Sequence, residues 1–300
     1  VPENVLLFLP GGPDMGAALV ADPAIAGVAF TGSTSTARAI NRTLAAKDGP
    51  IVPFIAETGG LNAMIVDATA LPEQVADDVV MSAFRSAGQR CSALRLLFLQ
   101  EEVADKMLEM IAGAADELKL GDPSDPSTDV GPIIDARQKE MLSNHIADMQ
   151  RSQKVRYAGK APNQGHFFAP HIVELDRSQS LAKEVFGPVL HVVRWKAKDL
   201  AGTIEAVRQS GYGLTLGVHS RISETISTIT EALDVGNIYV NRNMIGAVVG
   251  TQPSGGSGLS GTGFKAGGPN YLTRFALEQV ISVNTAAAGG NASLIAIGEG

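Results

Sequence analysis

Short apolar runs alternate along this chain with longer amphipathic stretches, and that alternation confines it to an α/β fold. The runs predicted as strands are 5–9, 27–30, 51–56, 63–66, 94–99, 155–157, 171–174, 189–195, 216–219 and 236–240. Helices are predicted at about 14–20, from Ser33 to about 46, from Pro72 to about 87, and over 101–118. Further helices are predicted at about 136–150, 199–209 and 223–233. Residues 254–269 are rich in glycine and are predicted to be irregular.

Composition narrows the classes of function. A chain of 300 residues makes one large domain or two ordinary ones, and 45% hydrophobic against 18% charged residues supports a sizeable core. The net charge of −7, with no basic block, disfavours nucleic acid as a partner. The single cysteine excludes an internal disulfide, so a reducing compartment, the cytoplasm, is the expectation. No apolar run reaches the roughly 18–20 residues of a membrane span, and no signal peptide opens the chain. Val1-Pro2-Glu3-Asn4 leads at once into a strand-like run, and Ile297-Gly298-Glu299-Gly300 stops without a cap, which reads as truncation at both ends.

Four segments hold residues suited to chemistry. Cys91 lies in Gly88-Gln89-Arg90-Cys91-Ser92, between a predicted helix and a strand, where functional loops sit. A thiol attacks at neutral pH when its pKa is lowered, and Arg90 is adjacent in sequence; the plainer alternative is an inert buried cysteine. Glu57, in Ile55-Ala56-Glu57-Thr58-Gly59-Gly60, closes an apolar run, where partial burial suits a carboxylate to general-base work. Phe30-Thr31-Gly32-Ser33 runs from a strand into a helix whose first N–H groups favour phosphate, and the turn around Gly12 lets backbone approach a ligand. Neither is the GxGxxG fingerprint, and a simple cap is the competing reading. Glu184 in Lys183-Glu184-Val185-Phe186-Gly187-Pro188 offers a carboxylate for ribose hydroxyls, with Phe186 beside it; the alternative is a surface turn. The histidines are scattered, and no metal site is expected.

Taken in order, these pieces resemble the aldehyde dehydrogenase superfamily: Phe-Thr-Gly-Ser, then Glu-x-Gly-Gly, Gly-Gln-x-Cys and Glu-x-Phe-Gly-Pro, with Glu57 and Cys91 34 residues apart. The likeness covers essentially the whole chain. Within the superfamily, Gly246-Ala247-Val248-Val249-Gly250-Thr251-Gln252-Pro253, the 255–272 segment and Asn284–Ala292 resemble the glutamate γ-semialdehyde dehydrogenase domain of bifunctional bacterial proline-utilization proteins. The resemblance implies an aldehyde dehydrogenase-like fold with a partial Rossmann-type cofactor domain and an α/β catalytic domain. It implies Cys91 as nucleophile and Glu57 as general base, with the Cys91 N–H in an oxyanion hole. It implies NAD as cofactor, met by Gly12, Gly32, Ser33, Thr58, Glu184 and Phe186. Ser92, Gly246 and Ala247 would hold the substrate's α-carboxylate. Partners implied are the small aldehyde, a second copy of the chain in a homo-oligomer, and an upstream proline dehydrogenase domain.

The implied domains are 1–59, the C-terminal half of the cofactor domain; 60–265, the catalytic domain; and 266–300, a return to the cofactor domain and the start of an oligomerisation flap. Two positions depart from the family pattern: Ser254 where the family carries Phe, and Phe264 where the closer relatives carry Pro. The isolated chain is expected to be inactive, because the resemblance puts further cofactor-binding parts upstream of Val1. The other readings are an aldehyde dehydrogenase for a different aldehyde and a non-catalytic module with this fold.

Overall fold

A computed structural model describes residues 2–284. Two bodies of unequal solidity follow one another along the chain. The first holds α1 (Pro13–Ala21), β1 (Val28–Thr31), α2 (Thr34–Ala45) and β2 (Phe54–Glu57). β1 and β2 pair in parallel, with Thr31 opposite Glu57. The second is built on a seven-stranded sheet in the order β10-β9-β3-β4-β7-β6-β5. Its strands are β3 (Ala63–Val66), β4 (Leu96–Gln100), β5 (Lys154–Ala158), β6 (His171–Leu175), β7 (Val189–Trp195), β9 (Thr215–His219) and β10 (Asn237–Val240). All neighbours are parallel except β5, which runs antiparallel to β6 at one edge. The fold class read from the sequence is the one observed.

Parallel strands covered on both faces need near-continuous apolar sequence, and the burial of β3 and β4 shows why. Ala63, Ile65, Leu96 and Phe98 point into one core with Leu142 and Ile146 of α5 (Ala136–Ser152), Ile204 and Val207 of α6 (Leu200–Arg208), and Ile229 of α7 (Ser223–Ala232). Met64, Val66, Leu97 and Leu99, the alternate residues, point into a second core. That core is closed by Val75, Val79 and Phe84 of α3 (Pro72–Phe84) and by Met107 and Ile111 of α4 (Glu101–Asp116). Pro72 starts α3 at the position where its missing N–H costs nothing. Asp135 and Asp199 cap α5 and α6 by accepting from Gln138 N–H and Gly202 N–H.

Four expectations are corrected. Residues 5–9 are not a strand: Leu6 is 87% and Phe8 88% exposed, and no described segment pairs with them to take up their backbone groups. The strand predicted over 51–56 begins only at Phe54, after Pro53, which has no N–H to donate, and Ile51 is fully exposed. α3 stops at Phe84 instead of running to residue 87, because the next residues turn left-handed. The 254–269 stretch is irregular except at β11 (Ser257–Gly258), which pairs antiparallel with β8 (Tyr212–Gly213). Residues 285–300, which hold nearly all of the 284–292 motif and the end of the expected 266–300 segment, lie outside the described residues, whose last element is a short 3-10 turn at Leu272–Phe275. No helix among the described residues is long and apolar enough to cross a membrane.

Candidate active site

The loop bearing Cys91 is set by a left-handed turn at the end of α3. Ser86 (φ 56°), Ala87 (φ 53°) and Gly88 (φ 62°) all have positive φ. For the two non-glycine residues this costs on the order of 1–2 kcal/mol each. Glycine is required at 88, since a Cβ there would lie 2.1 Å from the Gly187 carbonyl oxygen. The strained turn is pinned from several sides. Arg90 Nε donates to Ser86 Oγ (2.9 Å), Gln89 Nε2 donates to Pro132 O (3.1 Å), and Ile134 N–H donates to Gln89 Oε1 (2.9 Å).

Two buried polar residues hold the other side of the loop. Asn62 Nδ2 donates to the carbonyls of Cys91 (2.6 Å) and Ala93 (2.8 Å), while its Oδ1 accepts from Thr215 N–H. Arg95 is fully buried and donates to Gly187 O (3.0 Å), Arg90 O (3.1 Å) and Glu184 Oε1 (3.1 Å), with its guanidinium 5.3 Å from the centre of the Phe186 ring. Sequence reading missed both. The signal for Arg95 was present, because a charge inside the apolar 94–99 run must find partners when buried.

Electrostatics around Cys91 run against the simple expectation that Arg90 activates it. Burial pushes the thiol above its ordinary value, the Glu184 charge adds to this, and Glu57 contributes a smaller push the same way. The N–H groups of Ser92 and of Cys91 itself pull in the other direction. Glu57 is raised from 4.5 to about 7, chiefly by burial, against a weak hydrogen bond from Gly256 N–H (3.4 Å). Its Oε1 is buried without a hydrogen-bond partner. The carboxylate nests against glycines: a Cβ on Gly255 would come within 3.1 Å of Oε1, and one on Gly261 within 3.2 Å of Oε2.

The residues read as cofactor-binding fall into two groups. Ser33 caps α2, its Oγ accepting from Thr36 N–H (3.2 Å), and the first-turn N–H groups behind it have no acceptor within the helix. Gly12 is exposed, with open space beside it. By contrast, the Gly32 N–H already donates to Glu57 O (3.1 Å), and the Phe30 ring lies over Gly32, 2.4 Å from where a Cβ would be. Thr58 is buried, with its hydroxyl given to Leu259 O (2.6 Å) and its N–H to Ser260 O (2.9 Å). Glu184 is paired with Arg95 at 3.1 Å, and burial lifts its pKa while the guanidinium opposes the lift.

Of the residues read as substrate-binding, Ser92 is buried beside Cys91, Gly246 is half-buried and Ala247 is exposed. Arg90 Nη1 donates to Ile245 O (3.4 Å), joining the cysteine loop to the segment that carries them. Ser254 exchanges backbone hydrogen bonds with Ala266 (3.2 and 2.8 Å), and Phe264 is partly exposed under the Arg274 guanidinium.

A solvent-open cysteine held on a hydrogen-bonded loop, a desolvated glutamate and an open helix start at the junction of a two-stranded and a seven-stranded sheet agree with a family assignment made independently. Residues 1–281 match the model of the aldehyde dehydrogenase family, and the chain belongs to that family. Among curated proteins, the bifunctional protein PutA of Klebsiella aerogenes is 54% identical over 286 residues, covering 91% of this chain and 22% of that protein. A crystal structure of bifunctional proline utilization A superposes with a TM-score of 0.94 at 65% identity, covering 96% of this chain and 30% of that one. A 1-pyrroline-5-carboxylate dehydrogenase from Thermus, solved with bound NAD, gives a TM-score of 0.85 at 36% identity, covering 89% and 53%. The chain thus spans about a fifth of the PutA relative's length.

Proposed function

We propose that this chain carries the nucleophile and base for oxidation of L-glutamate γ-semialdehyde to L-glutamate with NAD, the second step of proline catabolism, within a longer polypeptide. The observation that carries the reading is the placement of Glu57. Its carboxylate is desolvated to a pKa of about 7, and its charge reaches the Cys91 thiol.

In this reading the Cys91 thiol gives its proton to water, Sγ bonds to the aldehyde carbon, and the carbonyl π pair moves onto oxygen. The resulting oxyanion forms beside the Cys91 N–H, where a preorganised donor stabilises it. A bound nicotinamide dinucleotide supplies the hydride acceptor. Glu57 then takes a proton from water as the hydroxide oxygen bonds to the thioester carbon, and the C–S bond breaks to return Cys91 as thiolate. A base near neutrality suits this step, because it is partly ionised at neutral pH and still holds protons well.

The residues present fit part of such a dinucleotide. The N-terminus of α2 at Ser33 suits a pyrophosphate, and Gly12 leaves its backbone open to approach. Glu184 would hold ribose hydroxyls, with Phe186 beside it. Gly32 and Thr58 contribute shape rather than donors, since their polar groups are already engaged. The division into 1–59, 60–265 and 266–300, the homo-oligomer and the upstream proline dehydrogenase domain belong to the same proposal.

The test is to titrate the full-length natural protein with the semialdehyde and NAD, beside Cys91→Ala. Loss of NADH production by orders of magnitude is expected. Retained production in the variant overturns the assignment of Cys91, and equal turnover across a panel of aldehydes overturns the substrate.

A further inference from the structure

The segment after β10, residues 241–247, carries Gly246 and Ala247, and one face of α3 fastens its first half. Gln74, Asp78 and Ser82 recur at every fourth position, so their side chains rise from the helix in one row. Gln74 Nε2 donates to Asn241 O (2.6 Å) and Met244 N–H donates to the buried Ser82 Oγ (3.1 Å), with Asp78 between them in the row.

A fourth side chain comes from the sheet. His219, buried at the end of β9, sets Nε2 3.5 Å from Asp78 Oδ2, against the middle of the row. Residues 241 and 244, at the two ends of a four-residue stretch, therefore each give a backbone group to a side chain of α3. Past Met244 the fastening thins, and residues 247–250 are exposed. The same helix runs on from Ser82 into the left-handed turn and Cys91. α3 is thus a single strut holding both sides of the gap between the thiol and the Gly246–Ala247 backbone.

We propose that Gln74, Asp78, Ser82 and His219 are positioning residues that fix the separation between Cys91 and the Gly246–Ala247 backbone, and so select aldehydes whose far end bears a carboxylate at the right reach. The proposal rests on the reading of function above. It assigns substrate selection to side chains that touch neither the reacting atoms nor the substrate.

The test uses Ser82→Ala and Gln74→Leu in the full-length natural protein. Each removes one hydrogen bond to the 241–244 backbone, and Gln74→Leu at a half-buried site guards against a fold failure in the first. Steady-state kinetics with glutamate γ-semialdehyde and with butanal are compared. Calorimetric binding of L-glutamate is measured without dinucleotide. Expected is a rise of about 3- to 10-fold in KM for the semialdehyde and in the Kd for L-glutamate, the worth of one such bond. kcat for the semialdehyde and KM for butanal should stay within about twofold. Parallel losses with both aldehydes, or no change with either, overturn the proposal. Wild-type protein that oxidises butanal as efficiently as the semialdehyde sinks the substrate reading itself, independently of any variant.

Discussion

The two-stranded and seven-stranded parts obey the same local rules and end in different states. In residues 2–59 the buried apolar side chains are Val20, Ala37, Ile55 and Ala56, while Leu6, Leu7, Phe8 and Ile51 face solvent. In the seven-stranded part both faces of the sheet are covered, and Met64, Val66, Leu97 and Leu99 have no exposure. Within these 300 residues, apolar sequence in the first part has little to be buried against. The lesson is that a hydrophobic run becomes a strand only when a neighbour takes its backbone groups and a layer takes its side chains. The candidate site lies where the two parts meet, Glu57 ending the weaker sheet and Cys91 preceding a central strand of the stronger.

The largest effect separating the two parts should come from truncating an aromatic side chain in each. Phe98→Ala, in the buried centre of β4, is expected to cost about 3–5 kcal/mol in denaturant unfolding of the 300-residue chain. Phe8→Ala, 88% exposed, should stay within about 0.5 kcal/mol. Equal costs would break the contrast.

A smaller difference is expected between two glycines. Gly88→Ala meets both a φ of +62° and the Gly187 carbonyl, and should destabilise by roughly 2 kcal/mol or more. Gly12→Ala, with open space around it, should be close to neutral. A neutral Gly88→Ala would mean that the turn before Cys91 relaxes freely.

The contrast most informative for chemistry concerns Glu57. Its pKa is raised in the folded state from 4.5 to about 7. Between those values the native protein holds a proton that the unfolded chain has lost, so stability falls as pH rises through the window and levels above it. Glu57→Gln should remove that slope. The same ionisation predicts that hydrolysis of an acyl-Cys91 species climbs with pH through about 7 in the wild type and becomes flat and slow in Glu57→Gln. A wild-type profile with no inflection near 7 would show that Glu57 is not the base.

Much of this was legible in the sequence, and the exceptions have common causes. The parallel strands were readable because strands covered on both faces are apolar without interruption. Glu57 at a strand end and Ser33 at a helix start were readable because both follow from local patterning. The run at 5–9 misled because apolar content speaks to burial and not to the presence of a partner strand. The end of α3 misled because Ser86 and Ala87 carry no mark of left-handed backbone, which the surrounding hydrogen bonds enforce. The resemblance made Thr58 and Gly32 cofactor-binding, yet tertiary neighbours had already engaged their polar groups.

The sequence by itself determined the α/β class, most element positions, and the order of Glu57, Cys91 and Glu184 along the chain. Periods of 2 and 3.6 residues are local properties, so they are written locally. Only the tertiary structure decided that Glu57 would be desolvated among the glycines at 255–261, and that Glu184 would close on Arg95. It also decided that α3 would reach the 241–244 backbone. Each of these joins residues some 90 to 200 positions apart, and such contacts exist only once the sheet has brought distant segments together and met the entropy cost of closing the loops between them.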